Sequence, residues 1–208
     1  YAQPSYLAGA NVFWMDFRDE LIKQGGIDKF GQPTVGNAER TLHQGVEITG
    51  TVRPFDRIDV SGNLTYSSNK LKKYTVFTNS AEAQLAGSAV LDSVTGYWEA
   101  RYDGNSIAGF PDLMANIRAT HTSGPSTVSV YAQYVGRQYT DNTERKDYSV
   151  DPYWVVNASM ARRFHYGSDV TLKFHINNVL GAKYATGGEG AAFFPAATRN
   201  YFVAVETK

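Results

Sequence analysis

The sequence predicts an all-β protein: a transmembrane, antiparallel, up-and-down β-barrel of about eight strands. Three observations carry this. Apolar residues fall on every second position in stretch after stretch, the pattern of strands with one greasy and one wet face. The connections between those stretches alternate short and long without exception, as in a barrel with short periplasmic turns and long external loops. No apolar run approaches the roughly 20 residues that a helical span needs.

The strands follow in order. Leu7 to Leu21 is rich in aromatic and β-branched residues, its alternation blurred by the run Val12 to Met15. A glycine- and proline-containing connection near 23–36 leads to Thr41–Val52, where Leu42, Val46, Ile48 and Val52 face one way and Thr41, His43, Glu47, Thr49 and Thr51 the other. Gln44 and Gly50 interrupt the apolar side. Arg53-Pro54-Phe55-Asp56 is a tight turn, because proline presets one dihedral and aspartate bonds the local backbone. Ile58, Val60, Leu64 and Tyr66 then alternate with Asp59, Ser61, Asn63 and Thr65, before an aperiodic stretch from Asn69 to Ser106 that is expected to be a functional loop.

Beyond it, Leu113, Ala115, Ile117 and Ala119 define a fourth strand, and Val128, Val130, Ala132 and Tyr134 a fifth. Ser123 to Ser126 is the turn between them. A polar connection at 140–151 precedes Trp154, Val156, Ala158 and Met160. The turn at 166–169 leads to Val170, Leu172, Phe174 and Ile176, and a glycine-rich loop near 185–196 leads to Tyr201, Val203 and Val205. Trp154 and Phe164 share a face ten positions apart, about 33 Å along the strand or about 25 Å across a membrane at a tilt of about 40°. They are expected to mark the outer and inner membrane interfaces.

Lysine plus arginine equals aspartate plus glutamate at 20 each, so no charge excess points to nucleic acid. The absence of cysteine excludes a disulfide framework and thiolate metal sites. A chain opening on Tyr1 with no signal peptide is expected to be part of a longer protein.

Four segments resemble the barrel of TonB-dependent outer-membrane receptors. They are Asn37 to Glu47, with its Gly-x-Glu strand; the Gly109-Phe110-Pro111 strand start; Asn177-Asn178-Val179-Leu180 with Lys183-Tyr184; and Phe194-Pro195 leading to Arg199-Asn200. They occur in the family's order. Leu180-Gly181 stands where the family usually has Phe-Asp, and Thr198 where proline often precedes Arg-Asn.

The resemblance implies that residues 1–208 are the C-terminal part of a larger, 22-stranded barrel. Its plug domain, TonB-contacting box and first strands would lie outside this sequence. It implies a place in the outer membrane of a Gram-negative bacterium, in contact with outer-membrane lipid, the receptor's own plug and remaining strands, and, through the plug, the TonB complex. It implies import of a scarce nutrient such as a ferric siderophore, with vitamin B12, haem or a glycan as alternatives. The last strand would be the seam read by the barrel-assembly machinery, followed by one aromatic residue. Without its partner strand this segment would leave two unpaired edges and is not expected to fold alone.

Side chains on the polar face, Glu47, Asp59, Arg118, Arg163, Lys173 and Glu206, are expected to line the lumen or touch the plug. Tyr97, Trp98, Arg101 and Tyr102 in the longest connection, with Arg137 and Tyr139 on another strand end, are candidates for holding an anionic aromatic chelate by stacking, cation–π contact and charge-assisted hydrogen bonds. No catalytic residue, metal site or cofactor is assigned. His43, His121, His165 and His175 sit on different strands without ligand spacing, and Gly187 to Gly190 lacks the Lys-Ser/Thr of a phosphate loop. A self-contained eight-stranded barrel with a structural or adhesive role remains the alternative. An outer-membrane enzyme ranks last, since no nucleophile–base pair can be placed.

Overall fold

The computed structural model describes residues 5–78, 88–165 and 167–207. One antiparallel sheet dominates it. Its eight strands are β1 (Ser5–Ile27), β2 (Pro33–Phe55), β3 (Ile58–Lys73), β7 (Leu113–Ser123), β8 (Ser126–Val135), β11 (Tyr153–His165), β12 (Asp169–Asn177) and β15 (Asn200–Thr207). Each pairs with the next in that order, so the wall is a plain meander with β1 and β15 as its two edges. The remaining strands sit in the long connections: β4 (Thr75–Thr78), β5 (Ser88–Leu91) and β6 (Trp98–Arg101) form one small sheet, β9 (Gln138–Tyr139) and β10 (Ser149–Val150) a second, β13 (Ala185–Glu189) and β14 (Ala192–Pro195) a third.

The eight wall strands stand where the alternation puts them, but the long connections differ from the sequence reading. The connection expected at 23–36 shrinks to a hairpin tip at 28–32, because β1 and β2 stay paired up to Ile27 and Pro33. The aperiodic stretch 69–106 contains the top of β3 and the strands β4, β5 and β6, with residues 79–87 outside the described part. The glycine-rich loop at 185–196 is the β13–β14 hairpin. The cause is common to all three. Alternation records one apolar and one polar environment, and strands that rise past the apolar band no longer meet that contrast.

Register fixes the geometry of the wall. Tyr6 is laterally aligned, strand by strand, with Val52, Val60, Ala119, Val130, Ala158, Ile176 and Tyr201. Aromatic residues on this apolar face, exposed except for the half-buried Tyr134, climb against that row: Tyr201 lies in it, Tyr134 and Trp154 in the row of Ala10, Tyr66 in the row of Val12, and Trp14 eight residues above Tyr6. A level belt that shifts eight residues over seven strand steps requires a strand tilt of about 38°, from a rise of about 3.3 Å per residue and a spacing of about 4.8 Å. That lies within the range of about 35–45° for membrane barrels.

Phe164 sits at the other end of this face, half-buried, with the Arg162 guanidinium 5.4 Å from its ring centre. Arg162 shares the apolar face, which the sequence reading overlooked. Its long stem lets the charge reach the interface.

The blurred alternation of β1 has a local cause. Phe13, Met15 and Phe17 line the opposite, polar face, and Phe13 lies over Gly45, where a Cβ would come within 2.7 Å of the ring. Glycine there leaves room for the ring. Asn178 explains its motif in the same way: it adopts a left-handed conformation (φ 52°), and its side chain accepts from Ala182 N and donates to Ala182 O, both at 2.8 Å. Asparagine tolerates that backbone better than most residues. Gly181 follows with φ 66°, a conformation that suits glycine at the position where the family usually has aspartate.

The buried hydrophobic cluster lies at the loop end of the wall. Ile22, Ala38, Leu71, Tyr74, Ala100, Tyr102 and Ile107 pack there, where the tops of β1, β2 and β3 meet β6.

Candidate functional site, the stitched loop rim

The top of β1, the β3–β7 connection with the top of β3, and the β13–β14 hairpin all meet the segment Thr140–Glu144. Thr140 Oγ1 donates to Gly190 O at 2.7 Å, and Gly190 N donates back to Thr140 O at 3.0 Å. Asn142, 3% exposed, donates through Nδ2 to Lys23 O at 2.7 Å and accepts through Oδ1 from Ala108 N at 3.0 Å. Its carbonyl accepts from Asn105 Nδ2 at 2.8 Å. Glu144 Oε1 accepts from Ser106 N at 2.6 Å and from Lys70 Nζ at 3.0 Å. Lys23 on β1 pairs with Glu189 on β13, whose carboxylate is buried. The hairpin β13–β14 therefore reaches back to the first wall strand.

Two cavities flank this junction. One, of about 470 Å³, is lined by Gln24, Gly25, Thr34, Tyr74, Tyr102, Asp141, Thr143, Tyr148 and Gly190 among others. The second, of about 420 Å³, is lined by Glu20, Lys23, Phe110, Gln138, Tyr139 and Phe194 among others.

Beside the second cavity lies a buried polar network. His43, 4% exposed, places Nε2 2.9 Å from Glu20 Oε2 and Nδ1 2.8 Å from Asn69 Oδ1, while Asn69 Nδ2 donates to Ser67 Oγ at 3.0 Å. Thr41 donates to the same Glu20 carboxylate, and Phe17 and Phe110 meet the imidazole edge-on. On one strand His43 reads as an ordinary polar-face residue; the three-strand network was not visible in the sequence.

Electrostatics differ across the rim. Burial pushes the Asp141 carboxyl above the usual carboxylate range, against hydrogen bonds from Thr143 N at 3.0 Å and Thr143 Oγ1 at 2.7 Å. Burial acts the same way on Glu144, but the hydrogen bonds from Ser106 and Lys70 outweigh it and leave that carboxyl below its ordinary value. A raised folded value gives stability that is full below the unfolded value and lost as pH rises through the folded one, so ionised Asp141 costs rim stability at neutral pH. Glu144 has the opposite sign: its contribution is present at neutral pH and lost as pH falls through its depressed value. Asp141→Asn keeps the acceptor for Thr143 and removes the charge. At pH 7 it is expected to slow amide exchange at Gly190 and Ala108 several-fold, an advantage that vanishes below about pH 4, where the wild-type carboxyl is protonated. Faster exchange in the variant at pH 7 would contradict this.

The sequence candidates scatter over the rim. Tyr102 is 8% exposed, packs 6.0 Å from Tyr74 and borders the first cavity. Tyr139 is half-buried and borders the second. Tyr97 is exposed, Trp98 half-buried on β6, and Arg101 donates to Glu99 at 2.9 and 2.7 Å; none of the three lines either cavity. Arg137 is held by Asp151 at 2.9 Å and lines neither. The structure adds Tyr74, Tyr148, Asp141 and Asn142. The one signal for them was the run Asp141-Asn142-Thr143, whose side chains bond nearby backbone and fold a loop on itself.

On the wall's polar face, Glu47 accepts from Asn11 at 3.2 Å, Arg118 lies 5.8 Å from the centre of the Tyr131 ring, and Lys173 pairs with Glu206. Arg163 is exposed there, its backbone N–H donating to Pro125 O at 2.9 Å. Asp59 holds Arg53 at 2.7 Å. Trp154 and Tyr134 pack at 5.0 Å on the opposite face.

The sequence model of the TonB-dependent receptor-like β-barrel matches residues 1–179. The chain belongs to the TonB-dependent receptor family. Solved structures of such receptor barrels share the fold. The siderophore receptor PiuA from Acinetobacter baumannii superimposes with a TM-score of 0.69 at 21% identity, over 96% of this chain and 26% of its own. The ferric yersiniabactin uptake receptor FyuA from Yersinia pestis gives 0.66 at 15% identity, over 100% and 28%. The copper transporter OprC gives 0.65 at 15% identity, over 96% and 27%. This receptor barrel chain thus spans about a quarter of the length of the structures it matches. No curated protein sequence matches it.

Proposed function

We propose that this chain is the closing part of a TonB-dependent receptor that imports a ferric siderophore across the outer membrane of a Gram-negative bacterium. It supplies barrel wall and external loops. A plug domain, the TonB complex acting through that plug, and the barrel-assembly machinery reading the last strand are the partners that go with this reading. The observation that carries it is the cavity at the rim junction, where Tyr74, Tyr102 and Tyr148 surround a polar floor at the loop end of a receptor wall. Aromatic faces stack on planar chelators, and nearby cations complement their charge. The self-contained alternative needs β15 to pair with β1, and these are the two edges of an open sheet.

The test is siderophore binding and iron uptake by the full-length receptor. Tyr148→Ala, which removes a ring from that cavity, is expected to weaken ferric-catecholate binding about tenfold, the scale of losing one stacked ring. Trp98→Ala with Arg101→Ala, on β6 outside the cavity, should weaken it less. Unchanged affinity in both variants would remove these groups from ligand capture, and binding of haem, vitamin B12 or a glycan in place of the chelate would replace the siderophore.

A further inference from the structure

The second rim cavity holds a carboxylate that β1 delivers against its own alternation. Even-numbered side chains from Tyr6 to Trp14 lie on the apolar face, and Glu20 would continue that series. Asp19 breaks it with φ 54°, a left-handed conformation that aspartate tolerates better than most residues. Past it, Glu20 meets Thr41 and His43 of the opposite face. Backbone outliers of this kind cluster at functional sites.

Glu20 is anchored from behind. Its Oε2 accepts from Thr41 Oγ1 and lies 2.9 Å from His43 Nε2, and both partners are buried. An ionised carboxylate only accepts, so Nε2 carries a hydrogen. Oε1 has no hydrogen-bond partner among the described residues and is not enclosed, which leaves it to the cavity that Glu20 lines. Lys23 is the other charged side chain on that wall, and Glu189 takes its ammonium group. Phe110, Tyr139 and Phe194 supply the aromatic surface.

This combination selects its occupant. A carboxylate oxygen gives an organic ammonium a charge-assisted hydrogen bond, and ring faces attract the same cation. An anion would meet Glu20 head on. A metal ion would lack ligands, because no three His, Cys, Asp or Glu side chains converge among the described residues. The volume of about 420 Å³ is that of a small-molecule site. Glu20 stands six residues beyond Trp14, about 16 Å outside the aromatic row at the tilt of the wall, within reach of dissolved ligands.

We propose that the second cavity binds a primary ammonium group carried on a small apolar body, with Glu20 as the residue that reads the charge. The site is separate from the tyrosine-lined cavity and does not depend on what that cavity takes.

The test is calorimetric titration of the full-length receptor in detergent with 2-phenylethylammonium, corrected for uptake by empty micelles. The neutral 2-phenylethanol, of the same shape, is expected to bind roughly tenfold or more weakly, and the anion phenylacetate not to bind. Glu20→Gln keeps an acceptor for Thr41 and His43 and removes the charge, so it should lose the preference for the ammonium over the alcohol. Phe194→Ala should weaken the ammonium several-fold, and Tyr148→Ala, in the other cavity, should leave it unchanged. Heat-modifiable gel mobility confirms that each variant holds a folded barrel; if Glu20→Gln does not, Phe194→Ala carries the test. Equal binding of ammonium and alcohol by the wild type, wild-type preference in Glu20→Gln, full affinity in Phe194→Ala, or loss in Tyr148→Ala would overturn the proposal. Ferric-catecholate binding by the same proteins is scored separately, so a failed siderophore reading and a failed ammonium site give different results.

Discussion

A full-length receptor carrying Gly25→Ala will lose the seal between its first hairpin and the 140–144 segment while its wall stays intact. Gly25 has φ 81°, and a Cβ there would sit 2.2 Å from Asp141 Cβ and 2.7 Å from its Cα. Backbone cannot yield as a flexible side chain can. The left-handed conformation adds about 1–2 kcal/mol for a residue with a Cβ, and the clash adds overpacking of similar size, so the junction should weaken by about 3 kcal/mol. Gly190 approaches from the other side: a Cβ on it would lie 2.3 Å from Gly25 O. Amide exchange at Gly190 and Thr140 should accelerate by more than about a hundredfold while that of β7 and β8 stays constant. Tryptic cleavage at exposed Lys146 should rise in parallel. Wild-type protection at Gly190 would show that the two backbones do not meet.

Removing Lys23 should have an effect of comparable size through charge. Glu189 is 2% exposed; Lys23 holds one carboxylate oxygen, and the other, Oε2, has no hydrogen-bond partner among the described residues. Lys23→Met strands that carboxylate; because the lysine itself is half-exposed the cost falls below that of a fully buried pair, about 2–3 kcal/mol. The β13–β14 hairpin should then detach from β1 and exchange freely. Lys23→Met combined with Glu189→Gln removes both charges and should recover most of the protection, because the cost lies in the uncompensated ion. A double variant as open as the single one would mean that the lysine stem, and not charge pairing, fastens the hairpin.

What the sequence discloses follows from how many environments a strand separates. Val60, Leu64, Val128 and Val130 alternate against serines, threonines and asparagines because they stand in the wall, and eight strands could be read there. Trp154 and Phe164 give a spacing along one strand, whereas Trp14, Tyr66, Tyr134 and Tyr201 fall near one line across the sheet only once register is known. The rim was scarcely legible at all. Glu189 reads as part of a glycine-rich loop, and nothing near it in the chain announces Lys23 as its partner. Tyr102 stood out as an aromatic in a long loop, but its packing against Tyr74 depends on a β3 that continues past its alternating part. Composition marks loop residues as polar and aromatic; which ones meet is decided by connections far apart in the chain.

The stitched rim also dictates an order of events during biogenesis. Lys23 and Glu189 are 166 positions apart, and Lys23 and Asn142 are 119 apart. The wall grows by neighbour pairing alone, each strand meeting the one just before it, so its loop closures, even across 74–112, are shorter than those of the rim. The rim contacts form only after both flanking hairpins and every strand between them are in place, since long-range contacts repay their closure entropy last. These rim contacts are therefore expected to form after the wall strands between them have paired, and a chain halted before that point should present its long connections separately, as loose hairpins that proteases can cut.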